Sequence, residues 1–140
     1  MLGILATSKK LIDGERIIVS IDKDLRGIPG KLVRNLDDEP LVVEEITEAQ
    51  ADYFHMFQTL TGDATDGYGG CPGIGPVKAE KALEPVKDDL AAMWQTVVAL
   101  YQKAGLSEGV ALTTARVARI CRNTDYNFKE KTVRLWQPPQ

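Results

Sequence analysis

The sequence predicts an α/β fold, mostly helical, and three observations carry that expectation. The run "RIIVSI" (Arg16–Ile21) is continuously apolar and β-branched, the pattern of a strand buried on both faces in a parallel sheet. A segment with apolar residues at helical spacing precedes it, so the two read as half of a βαβ unit. From Thr47 onward apolar residues recur at helical spacing in one segment after another.

In chain order, Leu2, Leu5, Leu11 and Ile12 predict a helix that ends at Asp13-Gly14. The strand that should precede this helix is not in the chain, so a piece of a larger protein is expected. After Arg16–Ile21, a Gly-Ile-Pro-Gly turn leads to short strands at Lys31–Val33 and Leu41–Val43. Thr47 and Gln50 have the spacing of a capping box. The helix they open puts Ala49, Tyr53, Met56 and Leu60 on one face, beside Phe57, and leaves His55 on the surface. Further helices are expected at Lys78–Leu83, Leu90–Lys103 and Val110–Arg122. The last of these carries an apolar stripe of Val110, Thr114, Val117 and Cys121. Leu135 and Trp136 should dock back onto the helices, and Trp94 and Trp136 read as core anchors.

The 140 residues suit one domain by length and are enough to bury a core. Two cysteines and one histidine exclude a disulfide framework, a zinc set and a histidine-based triad. The apolar start "MLGILA" is too short for a membrane span and has no basic stretch before it, so a cytoplasmic protein without a membrane partner is expected. The net charge of −3 conceals an asymmetry: residues 1–71 hold 7 basic and 13 acidic side chains, and residues 72–140 hold 10 and 7. An acidic half joined to a basic half fits a metal centre beside a backbone-binding surface, and equally two solvated faces.

Two pairs of acids stand out. Asp22 and Asp24 follow the first strand, where α/β sheets place their sites, and on extended backbone they point to one side. Asp63 and Asp66 end the helix after Thr47, and a spacing of three puts them on one face of a helical turn. Four carboxylates brought together repel unless a cation holds them, and Mg²⁺ or Mn²⁺ takes such oxygen ligands.

The loop and helix "GGCPGIGPVKAEKAL" is more specific. Gly73 and Gly75 flank Ile74 in a tight turn, Pro76 suits the first helical position, and Val77, Lys78 and Lys81 follow. Unpaired N–H groups at such a helix start bind phosphate, and the lysines add charge. With a small-residue face at Ala79, Ala82 and Leu83, this is a helix-hairpin-helix pattern over about residues 60–83, of the kind that grips a DNA backbone without reading sequence. Arg116, Arg119 and Arg122, at spacings of three, form a candidate phosphate stripe.

The succession "VSIDKDL", "TGDATD" and "CPGIGPVKAEKAL" resembles the 5′-nuclease superfamily, which includes flap endonucleases and phage 5′-3′ exonucleases. The resemblance covers roughly residues 1–90 and implies a metal-dependent 5′-3′ exonuclease or flap-type nuclease that hydrolyses phosphodiester bonds. It implies that Asp22, Asp24, Asp63 and Asp66 are catalytic metal ligands for Mg²⁺ or Mn²⁺. It also implies that Gly73, Ile74, Gly75, Val77, Lys78 and Lys81 hold duplex or flap DNA at its 5′ end, with K⁺ a further candidate at the hairpin. On this reading residues 1–45 are the carboxyl-terminal part of the nuclease core. Residues 46–140 are a helical DNA-binding region of helix-three-turn-helix type. Gly67 stands where the family often has Asn, and the family's first strand, arch and Glu-Ala-Asp-Asp cluster are absent. The chain is then a fragment, a split-gene product or a degraded form, weak or inactive by itself, with a separate chain as the partner that supplies the missing core. Two other readings are a non-catalytic helix-hairpin-helix module and a structural subunit whose acids bind nothing.

Overall fold

β-Branched side chains favour extended backbone because their forks restrict χ1, and Ile17–Val19 forms the first strand, β1. In the computed structural model, which describes residues 1–140, β1 pairs in parallel with β2 (Gly30–Val33), Ile17 opposite Lys31 and Val19 opposite Val33. β2 pairs antiparallel with β3 (Glu44–Ile46), giving the order β1-β2-β3. The chain divides into two compact units, Met1–Ala51 with Ile120–Leu135, and Asp52–Arg119 with Trp136–Gln140.

In the first unit, helix α1 (Leu2–Thr7) stops well short of the expected Ile12. The Ser8 hydroxyl explains the early end: it accepts from the N–H groups of Lys10 and Leu11 and so offers the backbone a turn in place of the next helical bonds. Leu11 and Ile12 are left exposed. β1 is buried on one face only, with Ile18 7% exposed but Ile17 44% and Val19 55%. It lies at the end of the strand order with a single paired neighbour. The core gathers Ile18, Leu25, Ile28, Leu32 and Ile46, with Ala6 and Ile120 packed against it. The strand expected at Leu41–Val43 forms instead at Glu44–Ile46, and Leu41–Val43 stay exposed. Ile46 reaches the core from its place opposite Gly30, and burial of that one side chain sets which residues pair.

Helix α2 (Glu48–Thr61) opens on the expected capping box. Thr47 Oγ1 accepts from the Gln50 N–H at 3.1 Å, and Gln50 Oε1 from the Thr47 N–H at 2.9 Å. From Asp52 its residues belong to the second unit. There Met56 and Leu60 are buried as expected, but Ala49 is exposed and His55 is only 3% exposed. The His55 Nε2 lies 2.7 Å from the Ala115 carbonyl oxygen, and its ring meets the Trp136 indole edge-on with centroids 5.0 Å apart. His55 is therefore a core residue rather than the expected surface one. A helix buried on more than one side has a wider covered arc than a single apolar stripe describes.

The two short strands β4 (Gly62–Asp63) and β5 (Tyr68–Gly69) follow, paired antiparallel, then α3 (Pro76–Leu83) and α4 (Leu90–Lys103). The bounds of α4 are those expected, and the Asp89 carboxylate caps it by accepting from the Ala92 N–H at 3.0 Å. Helix α5 (Glu108–Ala118) packs on α4 and buries Ala111, Ala115 and Ala118, the first two in one core with Met93, Trp94, Val97 and Tyr101 of α4. The expected stripe is wrong: Val110 and Val117 are 42% and 57% exposed, because the alanine face permits the closer approach. Trp94 and Trp136 are core anchors as expected, T-shaped with centroids 5.3 Å apart, whereas Leu135 is exposed.

Cys71 lies in this second core, and burial pushes its thiol pKa up. Cys121 is half-buried. Reaction of the native protein with a thiol reagent should therefore modify Cys121 first, with Cys71 following only as its unit opens. Equal rates for the two in peptide mapping would contradict this burial pattern.

Candidate functional site

A strand that runs out into a short polar turn needs a group to satisfy its free N–H donors. Asp22 does this for the turn that begins three residues after β1. Its Oδ1 accepts from the Asp24 N–H at 3.0 Å and starts a 3₁₀ turn over Lys23–Gly27. Asp22 and Asp24 are therefore a cap and the first turn of a 3₁₀ helix, not alternate residues of extended backbone. Asp22 is exposed and Asp24 half-buried. Arg34 donates to the Ile21 carbonyl at 3.1 Å and pins the chain just before this turn.

Asp63 and Asp66 also depart from the expected helical turn, since α2 ends at Thr61. Gly62 takes φ +69°, which ends the helix and turns the chain into β4. Asp63 is 6% exposed, and its Oδ1 accepts from the Thr65 N–H at 2.8 Å and the Asp66 N–H at 3.3 Å. The carboxylate thus builds the turn that carries Asp66, and the two bring carboxylate oxygens within 4.8 Å of each other. The donors are oxygen only, one buried and one exposed, a set suited to a hard divalent ion that keeps several of its waters.

The glycine loop is tied to the end of α2 by the Cys71 N–H, which donates to the Leu60 carbonyl at 2.8 Å. The Ile74 N–H donates back to the Cys71 carbonyl at 3.1 Å, and Gly73 takes φ +76°. Gly75 is the N-cap of α3 and Pro76 its first residue. Ile74 packs on the core while Gly73, Gly75, Val77, Lys78 and Lys81 are exposed. Lys78 Nζ donates to the Gly73 carbonyl at 2.9 Å, so its charge is folded back over the loop. Lys78 and Lys81 line an open cleft of about 480 Å³ together with Lys103. Lys103 was not singled out in the sequence, where a lysine in the last turn of α4 reads as a partner for the helix dipole.

The three arginines do not form a stripe. α5 ends at Ala118, so Arg119 and Arg122 lie beyond it. Arg116 Nε donates to the Trp136 carbonyl at 3.1 Å, the Arg119 guanidinium stands 4.0 Å from the Asp52 carboxylate, and Arg122 Nε donates to the Gly27 carbonyl at 3.3 Å. All three serve internal contacts. No helix of the structure is long and apolar enough to cross a membrane.

No protein-family model matches the chain, and no solved structure matches it. Two curated proteins do. Over 168 aligned positions the chain is 29% identical to an exodeoxyribonuclease of Enterobacteria phage T3, covering 99% of this chain and 54% of that one. An exonuclease of Escherichia phage T7 gives the same identity and coverage. The chain spans about half the length of these relatives. The likeness extends over nearly the whole chain, and by it the chain is similar to proteins named as phage exonucleases.

Proposed function

We propose that the chain is part of a metal-dependent nuclease that removes nucleotides from DNA 5′ ends or flaps. The observation that carries this reading is the relationship to two phage exonucleases over nearly the whole chain. Asp22, Asp24, Asp63 and Asp66 are proposed to hold Mg²⁺ or Mn²⁺. The oxygen-only donor pair of Asp63 and Asp66 supports this. When bound, the ions activate water and stabilise charge on the attacking and leaving oxygens. The chain's own part is to position. Asp63 fixes the turn under Asp66, and Asp22 fixes the turn under Asp24. Gly73, Ile74, Gly75 and Val77 form the proposed hairpin that meets the duplex backbone through N–H groups, with Lys78, Lys81 and Lys103 adding charge. A K⁺ ion at the hairpin belongs to the same proposal. Its loop also offers the Gly73 carbonyl to Lys78, and the two cations compete for that oxygen.

Asp63→Asn is the informative substitution, because an amide oxygen can still accept from the Thr65 and Asp66 N–H groups and keep the turn. Mn²⁺ binding, followed by electron paramagnetic resonance, should fall by more than the roughly 10- to 100-fold that loss of a supporting group costs. Binding to duplex DNA should be unchanged or tighter, since a repulsive charge is gone. Unaltered Mn²⁺ binding in Asp22→Asn and Asp63→Asn would leave the non-catalytic DNA-binding reading instead. Hydrolysis by these 140 residues alone is expected to be weak and to rise when a second chain supplies the remaining carboxylates. Robust 5′-3′ degradation without one would refute that part.

A further inference from the structure

The first unit carries a second basic feature that the nuclease reading does not use. Lys9 and Lys10 follow α1, and Arg134 follows a small hairpin of β6 (Tyr126–Asn127) and β7 (Thr132–Val133). Together with Asn123, Tyr126 and Phe128 they line an open cleft of about 680 Å³ in which no acidic residue takes part. The Tyr126 and Phe128 rings are T-shaped with centroids 5.0 Å apart, and Phe128 is 44% exposed.

The walls of this cleft are held in place. Thr7 Oγ1 donates to the Gly3 carbonyl and accepts from the Asn123 N–H, both at 2.7 Å, which joins one wall to the other. The Ser8 hydroxyl fixes the Lys9–Lys10 bend. Asn127 Oδ1 accepts from the Lys129 and Glu130 N–H groups and closes the hairpin turn. The Arg134 N–H donates to the Asp125 carbonyl at 2.7 Å, and the Asp125 carboxylate is turned inward onto the Arg122 N–H at 2.9 Å. That carboxylate is thereby turned away from the cleft, whose lining holds the three cations and the two rings.

We propose that this cleft binds a single-stranded segment of DNA, with phosphates on Lys9, Lys10 and Arg134 and a base stacked on Phe128. Three cations with no acid among them complement a phosphate backbone. An exposed ring face complements an unstacked base, which a duplex does not present and a single strand does. An acidic peptide satisfies the cations and leaves the ring unused. The inference goes beyond the proposed nuclease function and concerns a different part of the chain from the glycine loop.

The test is fluorescence polarisation of a labelled thymidine oligomer of roughly ten nucleotides, with duplex DNA of the same length measured in parallel. Phe128→Ala should weaken oligomer binding about 5- to 150-fold, the range expected for one lost stacking contact. The Lys9→Gln, Lys10→Gln double variant should lower the slope of log affinity against log salt by about 0.7 per charge removed, a change that a merely structural role does not produce. Both leave duplex binding at its wild-type strength, because the residues are exposed and distinct from those proposed for the hairpin. Crosslinking of an iodouracil-substituted oligomer should label the Tyr126–Phe128 peptide. Oligomer binding unaffected by all three changes, or labelling elsewhere, overturns the cleft while duplex binding keeps the nuclease reading intact. Oligomer binding that persists in a chain that does not bind duplex overturns the hairpin and leaves the cleft standing.

Discussion

Gly70→Ala is expected to unfold the second unit or to weaken it by about 4 kcal/mol or more, at the upper end of what single substitutions do. A Cβ at Gly70 would overlap the Leu60 carbonyl oxygen and lie 2.5 Å from both the Gly62 nitrogen and the Thr61 carbonyl carbon. All three are backbone atoms at the end of α2, so no side chain can turn aside to make room. The Cys71 N–H bond to Leu60 at 2.8 Å holds the two segments at that distance, and separating them breaks it. The same strain acts on the turn that carries Asp63 and Asp66, so the Mn²⁺ binding proposed for them should fall together with stability. Urea denaturation followed by tryptophan fluorescence reads the effect directly, since Trp94 and Trp136 both lie in this unit. A midpoint equal to that of the unchanged protein would show that the loop and the helix end part easily.

Trp136→Ala is expected to cost about 3–5 kcal/mol, the range for truncating a buried aromatic. Trp136 is 8% exposed and meets two rings edge-on, His55 at 5.0 Å and Trp94 at 5.3 Å. Its removal leaves a cavity beside a buried imidazole, and water entering there competes for the contact between His55 Nε2 and the Ala115 carbonyl. Trp136→Phe should recover part of the loss by refilling apolar volume. Chemical denaturation monitored by circular dichroism checks both variants. A cost under about 1 kcal/mol for the alanine form would show that the last five residues are only loosely docked, against the burial seen for an anchor of this size.

Much of what the sequence announced was local, and three of those signals held. The capping box at Thr47 and Gln50, the span Leu90–Lys103 of α4, and the entry of Gly75-Pro76 into α3 follow from hydrogen bonds and dihedral limits that act within a few residues. The turn at Asp63 shows how far that reach extends. The two acids were recognisable, but a helical turn was expected. Gly62 at φ +69° and the Asp63 carboxylate together favour a turn between short strands, and neither signal is visible in residue spacing alone.

The sequence by itself determined the mixed α/β composition, the Thr47–Gln50 capping box, the two pairs of acids and the glycine loop, because each is written in adjacent residues. Tertiary structure alone decided which faces are covered. It buried His55 against Trp136 and Ala115, and it chose the alanines of α5 over its valines. It left β1 half exposed and assigned Arg116, Arg119 and Arg122 to internal carbonyls and a carboxylate. It also joined Thr7 to Asn123 and so set Lys9 and Lys10 in one cleft with Phe128 and Arg134. The physical reason is that periodicity reports one apolar stripe per element, whereas burial depends on how many neighbours an element has and how closely their side chains let them approach.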